Sequence, residues 1–256
     1  MTGALEGLHA LVTGAGSGIG AAITRALARE GVAVSLVGRR KAALEGVAGN
    51  LPKATTIIAD VTNAVACKSM IESARAAHGP VDIVIANAGA AESVPVAKIS
   101  PEHWRRMIDV NLTGAFLTVQ AALSDVVRKG GGTRRIVFTA STAGLKGYPY
   151  VAAYCAAKHG VVGLARSMAA ELQPNGVTVN AVCPGFTDTP LLDASAAAIA
   201  SKTGRTVAEA RAAFAKDNEN GRLLSPDDVA AKVLWLCLPA AASINGEAFV
   251  IAGSGA

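Results

Sequence analysis

Aromatic residues are scarce in this chain: two Trp, three Tyr and five Phe make up 4% of 256 residues. A core with so few rings must close on Ala, Val, Leu and Ile, and at 51% hydrophobic residues the chain has enough of them. The same dearth removes the stacking platforms that single-stranded nucleic acid needs. Charge of one sign is also thin. Lys and Arg exceed Asp and Glu by 24 to 19, and the cations are scattered, with only short pairs such as Arg39-Arg40 and Arg134-Arg135. No basic stripe results, so no nucleic-acid partner is expected. The only cysteines are Cys67, Cys155, Cys183 and Cys237, and none form a C-x-x-C pair. A chain of this length buries a core without disulfides, so reduced thiols are expected. His9, His78, His103 and His159 have no metal-ligand spacing, and no metal is expected. No apolar run approaches the roughly 18 residues of a membrane span. The start, MTGALEGLHALVTGAG, has no basic leader. A cytoplasmic protein without a membrane partner is the expectation.

What the chain does have is alternation. Short, nearly continuous apolar runs at 9–14, 33–38, 54–60, 81–89, 134–141, 177–185 and 247–253 read as strands buried on both faces. Helical patterns fall between them, near 18–30, 40–49, 63–78, 100–128, 152–173 and 226–238. This order predicts an α/β fold with a single doubly wound parallel sheet. No repeat or linker divides it, so residues 1–256 are expected to form one domain. Residues 186–225 are an insertion with two helical patterns, about 190–201 and 207–218, the second opening on a capping-box spacing at Thr206 and Glu209. It sits between a strand end and the last helix, where a small helical substrate lid would lie.

The chemistry-bearing residues follow the strands. Thr13-Gly14-Ala15-Gly16-Ser17-Gly18-Ile19-Gly20 joins the first strand to the first helix. Glycines let backbone amides approach a pyrophosphate, and a helix N-terminus favours its charge. The second strand ends in LVGRR, where Gly38 stands at the place of the acid that would hold the ribose hydroxyls of NAD. Arg39 follows, and an arginine there can hold the 2′-phosphate of NADP. Tyr154 and Lys158, four apart in YCAAKHG, share one helix face.

Taken in order, Gly14-x-x-x-Gly18-x-Gly20, Asp60-Val61, Asn87-Ala88-Gly89, Asn111 in DVNLTG, Ser141, Tyr154-x-x-x-Lys158, and Pro184-Gly185 with Thr189 resemble the short-chain dehydrogenase/reductases of the roughly 250-residue type. The resemblance spans essentially the whole chain. It implies a Rossmann-type fold and an NAD(P)-dependent oxidoreductase acting on a ketone or secondary alcohol. Tyr154 would be the acid–base residue and Lys158 its partner, the ammonium lowering the phenol's ordinary pKa of about 10 and also bonding the nicotinamide ribose. Ser141 would bind the substrate oxygen, and Asn111 would hold a water in a proton relay. The cofactor would lie on Gly14, Ser17, Gly18 and Ile19, with Arg39 at the phosphate and Asp60 and Val61 at the adenine. Asn87, Ala88 and Gly89 would line the adenosine side; Pro184, Gly185, Thr187 and Thr189 would meet the nicotinamide. Asp188 is open as a cap ahead of Pro190.

The expected cofactor is NADP, with NAD as the alternative. Similar enzymes form tetramers through the helices carrying Tyr154 and Asn111, so a homotetramer or homodimer is expected, with Ala156, Ala157, Gly160 and Gly163 as small contact residues. Two departures from the family pattern stand out: Ala252-Gly253-Ser254 replaces a C-terminal DGG, and Asn175 precedes Gly176 where carrier-protein-dependent 3-oxoacyl reductases often have a cation. The second argues against an acyl-carrier-protein partner and leaves a CoA thioester or free ketone. An NAD-linked 3-hydroxyacyl-CoA dehydrogenase is the alternative enzyme. A silent nucleotide-binding regulator would be expected to lose Ser141, Tyr154 or Lys158, and an epimerase needs a larger substrate domain.

Overall fold

The computed structural model describes residues 3–130 and 132–252. Seven parallel strands form one sheet in the order β3-β2-β1-β4-β5-β6-β7. They are β1 His9–Thr13, β2 Ala33–Gly38, β3 Ala54–Ile58, β4 Ile83–Ala86, β5 Arg134–Thr139, β6 Val177–Pro184 and β7 Ala248–Ile251. The helices are α1 Gly18–Arg29, α2 Lys41–Ala48, α3 Ala64–His78, α4 Pro101–Ile108, α5 Gly114–Val126, α6 Ala152–Leu172, α7 Pro190–Thr203, α8 Val207–Lys216 and α9 Pro226–Cys237. Successive strand residues face opposite sides, so both faces must be apolar. Leu11, Val84, Ile136 and Val179 pack under α3, α5 and α6. Ala10, Val12, Ile83, Ile85 and Val137 pack under α1, α2 and α9. The four cysteines are free and buried.

The order reverses between β1 and β4, which opens a crevice beyond their C-terminal ends. Several strands stop short of their apolar runs. Residues 59–60, 87–89 and 140–141 lie beyond the last residues of their strands and reach the crevice, with Ala59 N and Ala140 N still donating to Gly38 O and Val182 O at 3.1 and 2.8 Å. The sequence pattern does not register this, because hydrophobicity continues where pairing ends. The last run, read to 253, ends in the ladder at Ile251; Gly253 and Ser254, with the replaced DGG, lie outside the described residues.

The segment expected as one helix over 100–128 is instead α4, a π-turn at Asp109–Thr113, and α5. Asn111 sits in that turn, not in an ordinary helix interior. Its amide donates to Met107 O at 2.9 Å and to Ala90 O at 2.9 Å, and its Oδ1 accepts from Ala90 N at 3.1 Å. The wide turn lets one side chain bond both its own helix and the chain leaving β4. Helix α6 packs against the same turn. A Cβ at Gly160 would stand 2.7 Å from Leu112, so this glycine serves contact within the chain, whereas Gly163 faces open space.

At the opposite ends of the strands lies a polar seam. His9 bonds Gly79 O through Nδ1 and the Ser35 hydroxyl through Nε2, each at 2.9 Å. A carbonyl only accepts, so Nδ1 carries the proton and Nε2 accepts from Ser35. Asp82 accepts from His9 N at 2.9 Å and pairs with Arg128 and Arg134. His78 meets the Thr55 hydroxyl at 2.9 Å.

Candidate active site

The crevice is a cleft of about 1070 Å³. Every residue expected in the site lines it: Gly14, Ser17, Gly18, Ile19, Arg39, Asp60, Val61, Asn87, Ala88, Gly89, Asn111, Ser141, Tyr154, Lys158, Pro184, Gly185, Thr187 and Thr189. Gly14 (φ 67°) and Gly18 (φ 52°) take left-handed conformations that turn the chain from β1 into α1. A Cβ at Gly20 would lie 2.3 Å from Gly14 O, so the helix can start this close to the strand only with glycine there. Ser17, the N-cap of α1, makes no side-chain cap bond. Helices α3, α4, α7, α8 and α9 are each capped by a side chain, which typically stabilises a helix by about 1 kcal/mol. The first-turn amides of α1 are left to the cleft, beside bare glycine backbone. This is a cradle for a pyrophosphate, and no carboxylate stands in the loop to repel one.

Across the cleft, Tyr154 and Lys158 rise from α6 on one face. Lys158 is buried, and its ammonium donates to Thr139 O at 2.7 Å. It lies 5.7 Å from the centre of the Tyr154 ring. Burial pushes Lys158 down to about 8 and the Tyr154 phenol up to about 12, with a hydrogen bond from Ser141 opposing the latter. The sequence-based expectation of a phenol acidified by Lys158 is therefore corrected. Desolvation dominates the phenol, and the ammonium donates to the end of β5 instead. Ser141 follows β5 in extended backbone, and its hydroxyl also accepts from Ala143 N at 3.1 Å. The rivals separate. Thr142 bonds the Tyr148 hydroxyl at 2.9 Å, and Thr139 Oγ1 is buried with no partner among the described residues.

Asn87 turns its side chain to β1. Its amide donates to Thr13 O at 2.9 Å, while the amides of Asn87 and Ala88 donate to the Thr13 hydroxyl at 3.0 and 3.1 Å. This knits the two strand ends that bound the crevice. Asp60 accepts from Thr62 N and its hydroxyl, which hold its carboxyl below the usual range. Arg39 is mostly exposed and only 3.9 Å from Asp60, a loose ion pair.

The far wall comes from residues 184–189 and the two helices after them. Thr189 caps α7 by accepting from Leu192 N at 3.3 Å. Asp188 is not the cap. It pairs with Arg211 of α8 at 2.7 Å, and Arg211 also pairs with Asp193 of α7. Arg211 is thus spent within the chain. Asn218, which the sequence did not single out, is buried and brackets Phe186. It accepts from Phe186 N at 2.9 Å and donates to Phe186 O at 2.8 Å and Arg222 O at 2.7 Å. The Phe186 ring stacks on Phe214 (centroids 4.8 Å apart) and meets the edge of Tyr148 at 5.7 Å. Tyr148, Tyr150, Tyr154, Phe186 and Phe214 all line the cleft, half of the chain's ten aromatic residues. Their very scarcity elsewhere was the available signal.

A model of the short chain dehydrogenase family matches residues 8–200. The chain is 36% identical over 247 residues to D-beta-hydroxybutyrate dehydrogenase of Cupriavidus necator, covering 94% of this chain and 95% of that protein. Among solved structures, an actinorhodin polyketide ketoreductase variant with NADPH superposes with a TM-score of 0.92 at 33% identity, covering 99% of this chain and 98% of that one. A 3-ketoacyl-(acyl-carrier-protein) reductase from Brucella melitensis complexed with NADH gives 0.89 at 33% identity, covering 98% of each. With the parallel sheet, the glycine cradle and these relatives in agreement, the chain belongs to the short-chain dehydrogenase family, NAD(P)-dependent oxidoreductases of alcohol and carbonyl groups.

Proposed function

We propose that this enzyme interconverts a ketone and a secondary alcohol with NADP(H), using Tyr154 as acid–base residue, Ser141 as donor to the substrate oxygen and Lys158 as the cation beneath both. The observation that carries this is the convergence of the three side chains on the cleft opposite the α1 cradle. The dinucleotide, when bound, supplies or accepts the hydride at the substrate carbon. In the reducing direction the Tyr154 hydroxyl gives its proton to the substrate oxygen as that carbon gains hydride; oxidation reverses both. An ammonium has three donors. Lys158 spends one on Thr139 O, leaving two for the cofactor ribose and the phenolate that forms. Ser141 stabilises charge developing on the oxygen. The π-turn at Asn111 is assigned to the proton relay through its backbone, its side chain being committed to Ala90 and Met107.

The preference for NADP(H) rests on Gly38, Arg39 and Arg40 at the end of β2, where no acid would repel a 2′-phosphate. The competing NAD-linked reading draws on Asp60, which stands 3.9 Å from Arg39. A 3-oxoacyl thioester is one ketone within this class, and α7 and α8 are the lid over it. Exposed Trp104 and Phe116 of α4 and α5, with Gly163 open on α6, support assembly into a homotetramer or homodimer; a monomer by light scattering at micromolar concentration excludes it. The central test is steady-state turnover of a ketone panel with each reduced cofactor. Higher kcat/KM with NADPH is expected, and equal or better kcat/KM with NADH overturns the preference.

A further inference from the structure

Tyr150 has φ +66°, and no other non-glycine among the described residues has a positive φ. The left-handed region suits glycine, asparagine and aspartate, and a bulky ring there is an outlier. The backbone has a reason for the turn: Tyr150 O accepts from Val94 N at 2.7 Å, tying the chain after β5 to the chain after β4. Glycine or asparagine would make that bond with less strain, so the bond accounts for the conformation but not for the tyrosine.

Packing does not account for it either. The residue is 64% exposed, and among the described residues its ring meets no other ring or cation and its hydroxyl makes no hydrogen bond. Tyr148, two residues earlier, is the contrast: it bonds Thr142, meets Phe186 and lies under Lys146. Yet both tyrosines line the cleft, with Phe186 and Phe214 on its far wall. A strained, uncompensated side chain beside a site is where strain serves a ligand and not the fold.

We propose that Tyr150 is a specificity-determining residue, its ring closing the mouth of the cleft over a bulky apolar group that the substrate carries beyond its reacting carbon. This deepens the ketone–alcohol reading above and rests on it. The substrate class is then a ketone or secondary alcohol with a ring or branched chain that fits between Tyr150 and the Tyr148–Phe186–Phe214 cluster.

The experiment compares wild type with Tyr150→Asn and Tyr150→Phe on two ketone series, one small and aliphatic, one bearing a cyclohexyl or aryl group. Tyr150→Asn should melt at or above the wild-type temperature, because asparagine tolerates the turn. Its kcat/KM for bulky ketones should fall about tenfold, mostly in KM, in the range set by apolar pocket contacts, with less than about a twofold change for small ones. Tyr150→Phe should keep the wild-type ratio. An unchanged bulky-to-small ratio in Tyr150→Asn overturns the proposal, as does a lower melting temperature with equal losses on both series. A wild type that turns over neither series defeats the ketone reading itself, and this proposal with it.

Discussion

Lys158 reaches past Tyr154: its ammonium bonds the carbonyl of Thr139 at 2.7 Å, the last residue of β5, and stays 5.7 Å from the tyrosine ring centre. The lysine is anchored by the sheet and not by the phenol. Its position therefore does not depend on the ionisation of Tyr154. One buried charge can then serve both proton transfer and cofactor binding without moving.

That anchoring separates the two residues experimentally. Tyr154→Phe removes the proposed acid but leaves Lys158 held, so cofactor affinity should persist while turnover falls on the order of 10²–10⁴-fold. Lys158→Met removes a buried charge whose pKa is pushed from 10.5 down to about 8, a cost of roughly 3 kcal/mol at neutral pH. The folded lysine binds its proton less readily than the unfolded one, so this cost is full below about pH 8 and fades as pH rises toward the unfolded value. Lys158→Met should lose activity and cofactor affinity yet unfold at or above the wild-type temperature. A less stable Lys158→Met would show the charge to be structural.

Arg39 is held only loosely, at 3.9 Å from Asp60, and can turn to a phosphate at little cost. A charge-assisted hydrogen bond contributes about 1.5–3 kcal/mol, or roughly 10- to 150-fold in affinity. Arg39→Ala should lose most of the proposed NADPH preference and leave NADH kinetics nearly unchanged. Equal loss with both cofactors would mean that Arg39 serves the adenosine and not the 2′-phosphate.

Asn218 fixes the corner at Gly185-Phe186 with its own amide. Asn218→Asp keeps the shape but sets a carboxylate oxygen against the carbonyls of Phe186 and Arg222. Each buried polar group left unpaired costs about 1–3 kcal/mol, so a drop of several degrees in melting temperature is expected. The ring stack of Phe186 on Phe214 should loosen with it, and kcat/KM should fall about tenfold with a disproportionate rise in ketone KM. Unaltered kinetics in a less stable protein would leave Asn218 a purely structural residue.

The seam at the other end of the sheet should contribute to acid stability. Burial lowers the His9 pKa, with neighbouring His78 adding to the effect and Gly79 O and Asp82 opposing it; burial lowers His78 as well. A folded pKa below the unfolded value of about 6.5 means the unfolded chain takes protons first. The stability these histidines contribute is therefore complete above about pH 6.5 and lost as pH falls below it. Melting temperature should decline as pH falls below about 6.5, before ordinary carboxylates titrate. His78→Gln should flatten that decline, and a flat wild-type profile over this window would contradict it.

Much of this could be read from residues alone, because apolar runs such as HALVT and AVSLVG admit few other structures and the glycine loop follows the first of them. The capping box at Thr206 and Glu209 forms as its spacing predicts. Other features escape a one-dimensional reading. Asn218 acts on a residue 32 positions away, and nothing local marks it. The phenol of Tyr154 is governed by burial, whereas its sequence neighbourhood displays only Lys158. The π-turn leaves no compositional trace, since DVNLTG would suit an ordinary helix.

That turn makes chain length itself a determinant of the site. An α-helix advances about 100° per residue, so five residues in the space of one turn rotate everything before Asp109 relative to α5. Removing a single residue between Asp109 and Thr113 would restore regular helical bonding and swing Asn111 away from Ala90. The shorter protein would have the more regular helix and a broken site. An insertion or deletion here would therefore reshape the proposed site even when every side chain is kept.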